Sequence, residues 1–259
     1  MMIWELAFSQ PDAMHRLEWV RMTLGGTIFV LSRMPPYGRF YTENEATLYG
    51  PGSWLPPLGR LQPLLRTAVS ILALLVAVGL GGLGTAVALL LAFGLLDRYL
   101  ASLSPRLWNN LFHVHLFLLG YCIARAAPLL APPAQAERLA SFMLTAMQLQ
   151  VGLVYLLAGL SKLRVGGLEW FTQGRTLLAS TLFRGTALGH RVVAVPAARR
   201  AMGLASGVFE LGAPVLVLWP AMHPWLAVMA ISFHLGVLLF MRISFWHLWV
   251  FFPALFIAP

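Results

Sequence analysis

Charged side chains are scarce in this chain. Only 10% of its 259 residues are Asp, Glu, Lys or Arg, whereas 59% are hydrophobic. A soluble domain carries roughly a quarter charged residues, so this chain could not cover the surface of a water-soluble globule with polar groups. A lipid bilayer is the expected solvent. At ~20 apolar residues per crossing, the length predicts an all-α, polytopic integral membrane helix bundle with about seven to nine transmembrane helices.

Cysteine and lysine are nearly absent. The single cysteine, Cys122, excludes an internal disulfide and a Cys-based metal cluster, and we interpret it as a helix-packing residue. Lys162 is the only lysine, so the other basic residues are all arginines. The net charge of +9 is explained by interaction with anionic lipid headgroups and by the tendency of basic residues to lie on the cytoplasmic side of a membrane. No nucleic-acid partner is expected, because no basic run is interleaved with exposed aromatic residues.

The chain shows no signal peptide, internal repeat or low-complexity tract. We therefore expect one transmembrane domain over residues 1–259, without an appended soluble domain, in a bacterial inner (cytoplasmic) membrane. The sidedness stays open. Residues 161–200 hold seven basic residues and one acid, which favours the cytoplasmic side, but the segment could also be partly re-entrant.

The apolar segments, and the prolines and glycines that interrupt them, predict where the helices lie along the chain. The predicted helices cover residues 19–34, 67–96, 106–127, 139–160, 201–220, 225–241 and 243–257. Four glycines between residues 79 and 84 favour two short helices within 67–96, with one long tilted helix as the alternative. Prolines at 128, 132 and 133 predict the end of the 106–127 helix. Residues 35–66 form a polar loop that would cap the bundle or cover a cavity.

A stripe of small and polar residues follows one face of the 139–160 helix and the residues just after it. Its members recur at spacings of four, three, four and three, which places them on one helical face: Gln148, Gly152, Tyr155, Gly159 and Lys162. In a low-dielectric pocket the charged form of Lys162 is disfavoured, so the side chain could serve as a neutral amine base. The alternative is a lysine that snorkels to the membrane surface.

Ionisable groups within apolar helices indicate functional sites, because each is costly in lipid without a partner. Glu210 is the only acid in the last three apolar helices. It must be protonated or paired, with Lys162, an arginine or a histidine as its partner, and a purely structural pair is the alternative. We expect no metal site, because the four histidines of the apolar segments lack ligand spacing. These are His113, His115, His234 and His247.

Several pieces of the sequence resemble one family in the same order. Residues 150–163, QVGLVYLLAGLSKL, are followed by Trp170 and Gly174. This block resembles the signature of the horizontally transferred transmembrane (HTTM) family, which is related to the membrane domain of vitamin K-dependent gamma-carboxylase. The remaining pieces are an aromatic-Glu-Leu element, a Phe-His element and a partial Trp-Asn-Asn element. They are Phe209-Glu210-Leu211, Phe233-His234 and Trp108-Asn109-Asn110.

The resemblance implies an enzyme in which Lys162 acts as an amine base towards the hydroxyl of a reduced naphthoquinone. The cofactor would be reduced vitamin K or menaquinol, and the deprotonated quinol would react with oxygen in a water-poor pocket. The resemblance also implies catalytic positions around the lysine, which are His113, Glu210 and His234. The implied quinol-binding positions are Tyr155, Trp170, Asn109 and Asn110.

The chain departs from the carboxylase in ways that leave its second substrate open. Leu111 stands where the carboxylase has a histidine directly after the paired asparagines. The second substrate could be a peptide, a protein or a lipid. The alternative function is a non-catalytic membrane subunit, for immunity, assembly or scaffolding in a larger complex, which would use the small-residue stripe for helix contacts. A transporter would favour paired repeats and broken helices, which the sequence lacks.

These alternatives differ in what they predict around Lys162. The quinol enzyme predicts a closed, polar-lined cavity there. The membrane-subunit alternative predicts a packed stripe and no cavity.

Overall fold

The computed structural model describes residues 8–10, 12–34, 62–103 and 111–258. Within these ranges the regular structure is helical, with no strand, so the all-α prediction is confirmed for this part of the chain. The chain divides into two compact units, one that ends at Leu144 and one that runs Thr145–Ala258. Most of the loop predicted over residues 35–66 lies outside the described residues, and residues 62–66 belong to a helix.

The unit that ends at Leu144 contains four complete helices and the beginning of a fifth. These are α1 (Ala13–Arg33), α2 (Gln62–Val78), α3 (Gly82–Leu103), α4 (Phe112–Leu130) and the first part of α5 (Pro133–Gly166). Helix α1 begins earlier than predicted and ends where Met34 adopts extended backbone angles, as expected for a residue that precedes a proline. Helices α1 and α2 share a buried hydrogen bond of 2.7 Å between the hydroxyls of Ser32 and Ser70.

The glycine-rich turn between α2 and α3 confirms the predicted division into two helices, although α3, with 22 residues, is longer than predicted. Gly79, Gly81 and Gly82 all have positive φ angles, of 82°, 80° and 57°. Because L-residues with side chains rarely adopt this conformation, the chain reverses direction here, and the alternative of one long helix is wrong. Arg21 covers the open end of α2, since its Nη1 donates to the carbonyl oxygens of Val76 and Ala77 at 2.6 Å each.

Pro128 does not end α4, contrary to the prediction. The helix continues through this proline to Leu130. A proline near the end of a helix removes one hydrogen bond there without preventing a final turn. The break comes at Ala131, which is extended, and Pro133 then begins α5.

The unit that runs Thr145–Ala258 holds the rest of α5 and the remaining helices. In chain order these are α6 (Glu169–Gln173), α7 (Arg175–Arg184), α8 (Ala187–Ala194), α9 (Pro196–Val217), α10 (His223–Met241) and α11 (Trp246–Trp249). A 3-10 turn, Pro220–Met222, precedes α10, and a π-helical turn, Pro253–Ile257, follows α11. The helix predicted over 243–257 begins only at Trp246 and is irregular, with a turn at Val250 and Phe251 between α11 and the π-helical turn.

Four helical segments are long and apolar enough to cross a membrane, by length and composition. They are Phe112–Leu130, Pro133–Gly166, Pro196–Val217 and Pro220–Met241. Two shorter apolar segments, Gln62–Val78 and Trp246–Ile257, fall below the length of a full crossing. Within the described residues the structure thus provides four candidate spans, and the larger number of seven to nine stays a prediction.

Candidate functional site: a cavity around Lys162

A cavity of about 700 Å³ lies within the unit that runs Thr145–Ala258. Its wall is built mainly from apolar and aromatic side chains of α5, α9 and α10, and the short helices α6 and α7 contribute to it. The polar side chains of the wall are few: Tyr155, Lys162, Trp170, Ser180, Ser206, Glu210, Ser232 and His234. An apolar cavity of this size with a few polar groups is typical of a small-molecule site.

Lys162 and Glu210 form an ion pair in the cavity wall. Lys162 Nζ donates a hydrogen bond to Glu210 Oε1 and joins α5 to α9. The Glu210 side chain is only 3% exposed, whereas that of Lys162 is 25% exposed. The second carboxylate oxygen of Glu210 is buried and has no hydrogen-bond partner within the described part of the chain. A buried acceptor without a partner is costly, so protonation of the carboxyl, or a small side-chain rotation that meets a donor in the cavity, would stabilise Glu210.

A second polar pair joins α5 to α10. The Tyr155 hydroxyl and His234 Nε2 lie 2.6 Å apart, and the hydrogen bond between them is buried. The other ring nitrogen of His234, Nδ1, is buried without a hydrogen-bond partner among the residues that the structure describes. If the Tyr155 hydroxyl is the donor, neutral His234 carries its proton on Nδ1 and offers a free donor.

Aromatic rings surround the Tyr155 and His234 pair. The Tyr155 ring meets Phe209 edge to face, with centroids 4.7 Å apart. Phe209 is in turn 5.2 Å from Phe233, and His234 is 5.6 Å from Phe245. This wall presents ring faces and edges to an inserted planar molecule. The cavity is partly open and mainly apolar, so the expectation of a closed, polar-lined cavity around Lys162 is wrong in both respects.

The two pairs occupy different levels of α5. Tyr155 and Lys162 are seven residues apart, two helical turns, so they share a face and lie about 10 Å apart along the axis. The Tyr155–His234 pair and the Lys162–Glu210 pair therefore lie at two different levels of the cavity wall.

The small residues of the predicted stripe pack against α9. A Cβ atom added at Gly152 would lie 3.2 Å from Pro214 Cα, and one at Gly159 would lie 2.9 Å from Leu211 Cδ2. Gln148, at the other end of the stripe, donates to the carbonyl oxygen of Leu255 at 2.6 Å. The stripe therefore combines helix packing, at its glycines, with a cavity wall, at Tyr155 and Lys162.

The structure brings together five of the residues proposed from the sequence. The cavity wall includes Tyr155, Lys162, Trp170, Glu210 and His234. His113 belongs to the other unit, where its buried ring meets Phe117 edge to face at 5.9 Å, and it is not part of this wall. Asn109 and Asn110 lie outside the described residues.

Sequence reasoning missed part of the aromatic and sulfur-rich wall. Phe240, Phe245 and Met202 line the cavity. Phe245 begins the aromatic run 245–249, which offered a signal because such a run fits either an interfacial belt or a flat ligand. Phe240 and Met202 carry no comparable signal, since isolated apolar residues in an apolar helix have no distinguishing pattern.

Nothing in the described ranges gathers three or more His, Cys, Asp or Glu side chains into a group that could hold a metal ion. The site is therefore built from hydrogen-bonding and ion-pairing groups around an apolar space. No protein-family model, curated protein or solved structure matches this chain.

Proposed function

We propose that the chain is an integral membrane enzyme whose cavity binds a membrane quinol, with Lys162 as the base that accepts the proton of a quinol hydroxyl. The observation that carries the proposal is the ion pair between the partly exposed Lys162 and the buried Glu210 in the wall of a mainly apolar cavity. The resemblance of residues 150–163 to the horizontally transferred transmembrane family, related to vitamin K-dependent gamma-carboxylase, supports the same assignment.

The shape and polarity of the cavity fit a reduced naphthoquinone. Its aromatic wall suits a flat ring system, and the side chains of Glu210 and His234, each with a polar atom that lacks a partner among the described residues, could turn that atom towards an oxygen substituent.

Lys162 and Glu210 together can hold and move one proton. A fully ionised pair is expensive in a dry cavity. When the shared proton is on Glu210, Lys162 is a neutral amine, which can accept a proton from a hydroxyl once its electron pair turns from the Glu210 carboxyl to that hydroxyl. After that transfer, the Lys162 ammonium would stabilise an adjacent anion. A bound quinol would supply the electrons for the reduction of oxygen.

His234 would fix the other end of the ring by donating from Nδ1, and Tyr155 would hold the imidazole in that tautomer. The apolar rings would keep water away from the reacting oxygen. We further propose seven to nine transmembrane helices and a location in a bacterial inner membrane, where menaquinol would be at hand. A peptide, a protein or a lipid would be the second substrate.

The test is oxygen-dependent turnover of menaquinol or reduced vitamin K by the purified chain in lipid. We expect Lys162→Ala to lower turnover by about 10²–10⁴-fold, the usual contribution of a general base. Arg164→Ala is the matched control, because it removes a basic side chain that is exposed on the same helix and lies outside the cavity wall.

Two results would overturn the proposal. Equal turnover in the wild type and Lys162→Ala would remove Lys162 as the base. Absence of turnover in a folded wild-type protein that also fails to bind either quinol would reject the quinol site, and a non-catalytic membrane subunit would then account better for the chain.

A further inference from the structure

The three short helices α6, α7 and α8 carry apolar and basic side chains that are exposed among the residues that the structure describes. They contain five, ten and eight residues, too few for a membrane crossing. Large apolar side chains nevertheless stand outward on them and on their connections, with Phe183 86% exposed. The other exposed members are Leu168, Leu182, Leu188 and Val195. In water such a surface would be unfavourable.

The opposite side of this segment is fixed to the unit by close contacts. The Thr186 hydroxyl donates to the carbonyl oxygen of Leu239 at 2.7 Å, and the Thr186 amide donates to that of Phe240 at 3.1 Å. Gly189 and Gly203 are in backbone contact with Phe240 and Phe171, respectively. The segment is therefore docked by one side, and on its other side Leu182 and Leu188 are exposed among the residues that the structure describes.

The charge of the segment is strongly of one sign. Residues 167–200 include five arginines and one acid, Glu169. The single acid forms an ion pair of 2.9 Å with Arg175, but both side chains are more than half exposed, so the pair is held weakly. Arg191 and Arg200 are also exposed. Outward apolar residues combined with surplus arginines are typical of segments that lie in the membrane interface.

We propose that the outward face of residues 167–200, here called the interfacial face, binds the surface of an anionic phospholipid leaflet. Leu182, Phe183 and Leu188 would enter the boundary between headgroups and acyl chains, and the arginines would contact the lipid phosphates. Charge complementarity selects anionic over zwitterionic lipid. The inference stands independently of the quinol chemistry.

The interfacial face adjoins the candidate site. Trp170, Leu177 and Ser180 of α6 and α7 form part of the cavity wall, while Leu182 and Phe183 of α7 point outward. Anionic lipid on the outer side of α7 would therefore hold one wall of the cavity in position. The lipid composition of the leaflet would in this way affect the position of α7 in the cavity wall.

The test places an environment-sensitive fluorophore on the interfacial face of the full-length chain. The single cysteine is removed by Cys122→Ala, and Leu182→Cys carries the label. The protein is embedded in nanodiscs of phosphatidylcholine or of phosphatidylcholine with phosphatidylglycerol, and quenching by neutral acrylamide is measured. We expect the label to be shielded in the discs with phosphatidylglycerol and accessible in pure phosphatidylcholine, with the difference reduced by high salt.

Two matched variants separate this surface from general electrostatics. One replaces three exposed arginines of the interfacial face by glutamine, at Arg175, Arg191 and Arg200. The other replaces three exposed arginines elsewhere, at Arg33, Arg98 and Arg138. Because each basic residue near an anionic surface strengthens binding about fivefold, the first variant is expected to lose most of the shielding and the second to keep it.

A label at Leu153→Cys, on the exposed side of α5, reports whether the chain is embedded and should be shielded in both lipids. Accessibility of the Leu182→Cys label in both lipids would overturn the proposal, and so would equal shielding in both. Equal loss of shielding in the two arginine variants would also contradict it, because the effect would then follow net charge and not this face.

Discussion

The ion pair between Lys162 and Glu210 makes a prediction that does not depend on any ligand. In Lys162→Met, the Glu210 carboxyl, only 3% exposed, is left without its cation. Removal of one partner of a buried pair typically costs about 3–5 kcal/mol, so we expect a loss of this order in the free energy of unfolding. In Glu210→Gln, Lys162 keeps a side chain that is 25% exposed and can extend towards water. That loss should be smaller, about 1–2 kcal/mol.

The double variant Lys162→Met, Glu210→Gln carries no charge at either position. Because the double variant has no buried carboxylate to leave without its cation, the penalty of Lys162→Met does not arise in it, and it should be more stable than the sum of the single losses predicts by about 3–5 kcal/mol. The assay is reversible unfolding of the purified chain in mixed micelles, with the four proteins of the cycle compared in one detergent. Additive losses, or a larger loss in Glu210→Gln than in Lys162→Met, would refute the asymmetric buried pair.

Three further perturbations follow from local geometry. Gly203→Ala should lower the free energy of unfolding by about 1–3 kcal/mol, because the new methyl group meets the backbone of Phe171. Gly212→Ala on the same helix meets nothing within 4 Å and should raise the free energy of unfolding by up to ~1 kcal/mol. Equal changes in the two variants would contradict the close packing at Gly203. Tyr155→Phe should lower stability by about 1–3 kcal/mol, because it leaves a nitrogen of His234 without its buried partner, and an unchanged melting temperature would show that the hydrogen bond contributes nothing. Arg21→Gln should destabilise the unit that ends at Leu144 by about 1–3 kcal/mol, since the carbonyl oxygens of Val76 and Ala77 lose a charged donor. Hydrogen exchange of the backbone amides at the end of α2 should then become faster.

The sequence allowed the helical class and the face of α5 to be predicted, because both depend on local periodicity. Tyr155 and Lys162 share a face as a consequence of their spacing alone. The glycine turn after α2 was also predictable, since several glycines at the middle of an apolar stretch favour positive φ angles. Helix ends were less predictable, because the final turn of α4 tolerates Pro128 and the π-helical turn after α11 begins with Pro253.

The pairings across helices could be proposed from the sequence but not determined. Lys162 and Glu210 are 48 residues apart, and only the packing of α5 on α9 decides that they meet. An arginine or a histidine would have satisfied the same electrostatic requirement. The pairing of Tyr155 with His234 likewise depends on the rotation of α10. His113 belongs to the other unit, so its place beside Lys162 stays a prediction.

Packing and chemistry depend on the same face of α5. Gly159 lies one turn before Lys162, and a Cβ there would be 3.2 Å from Glu210 Cβ. The absence of a side chain at Gly159 thus lets α9 approach until the carboxyl of Glu210 reaches the lysine. One turn earlier, the larger Tyr155 ring faces the cavity and bonds to His234 on α10. Small residues on this face determine where α9 lies, and the larger ones use the resulting space, so a bulky residue at Gly159 would disturb the ion pair without altering either charged group.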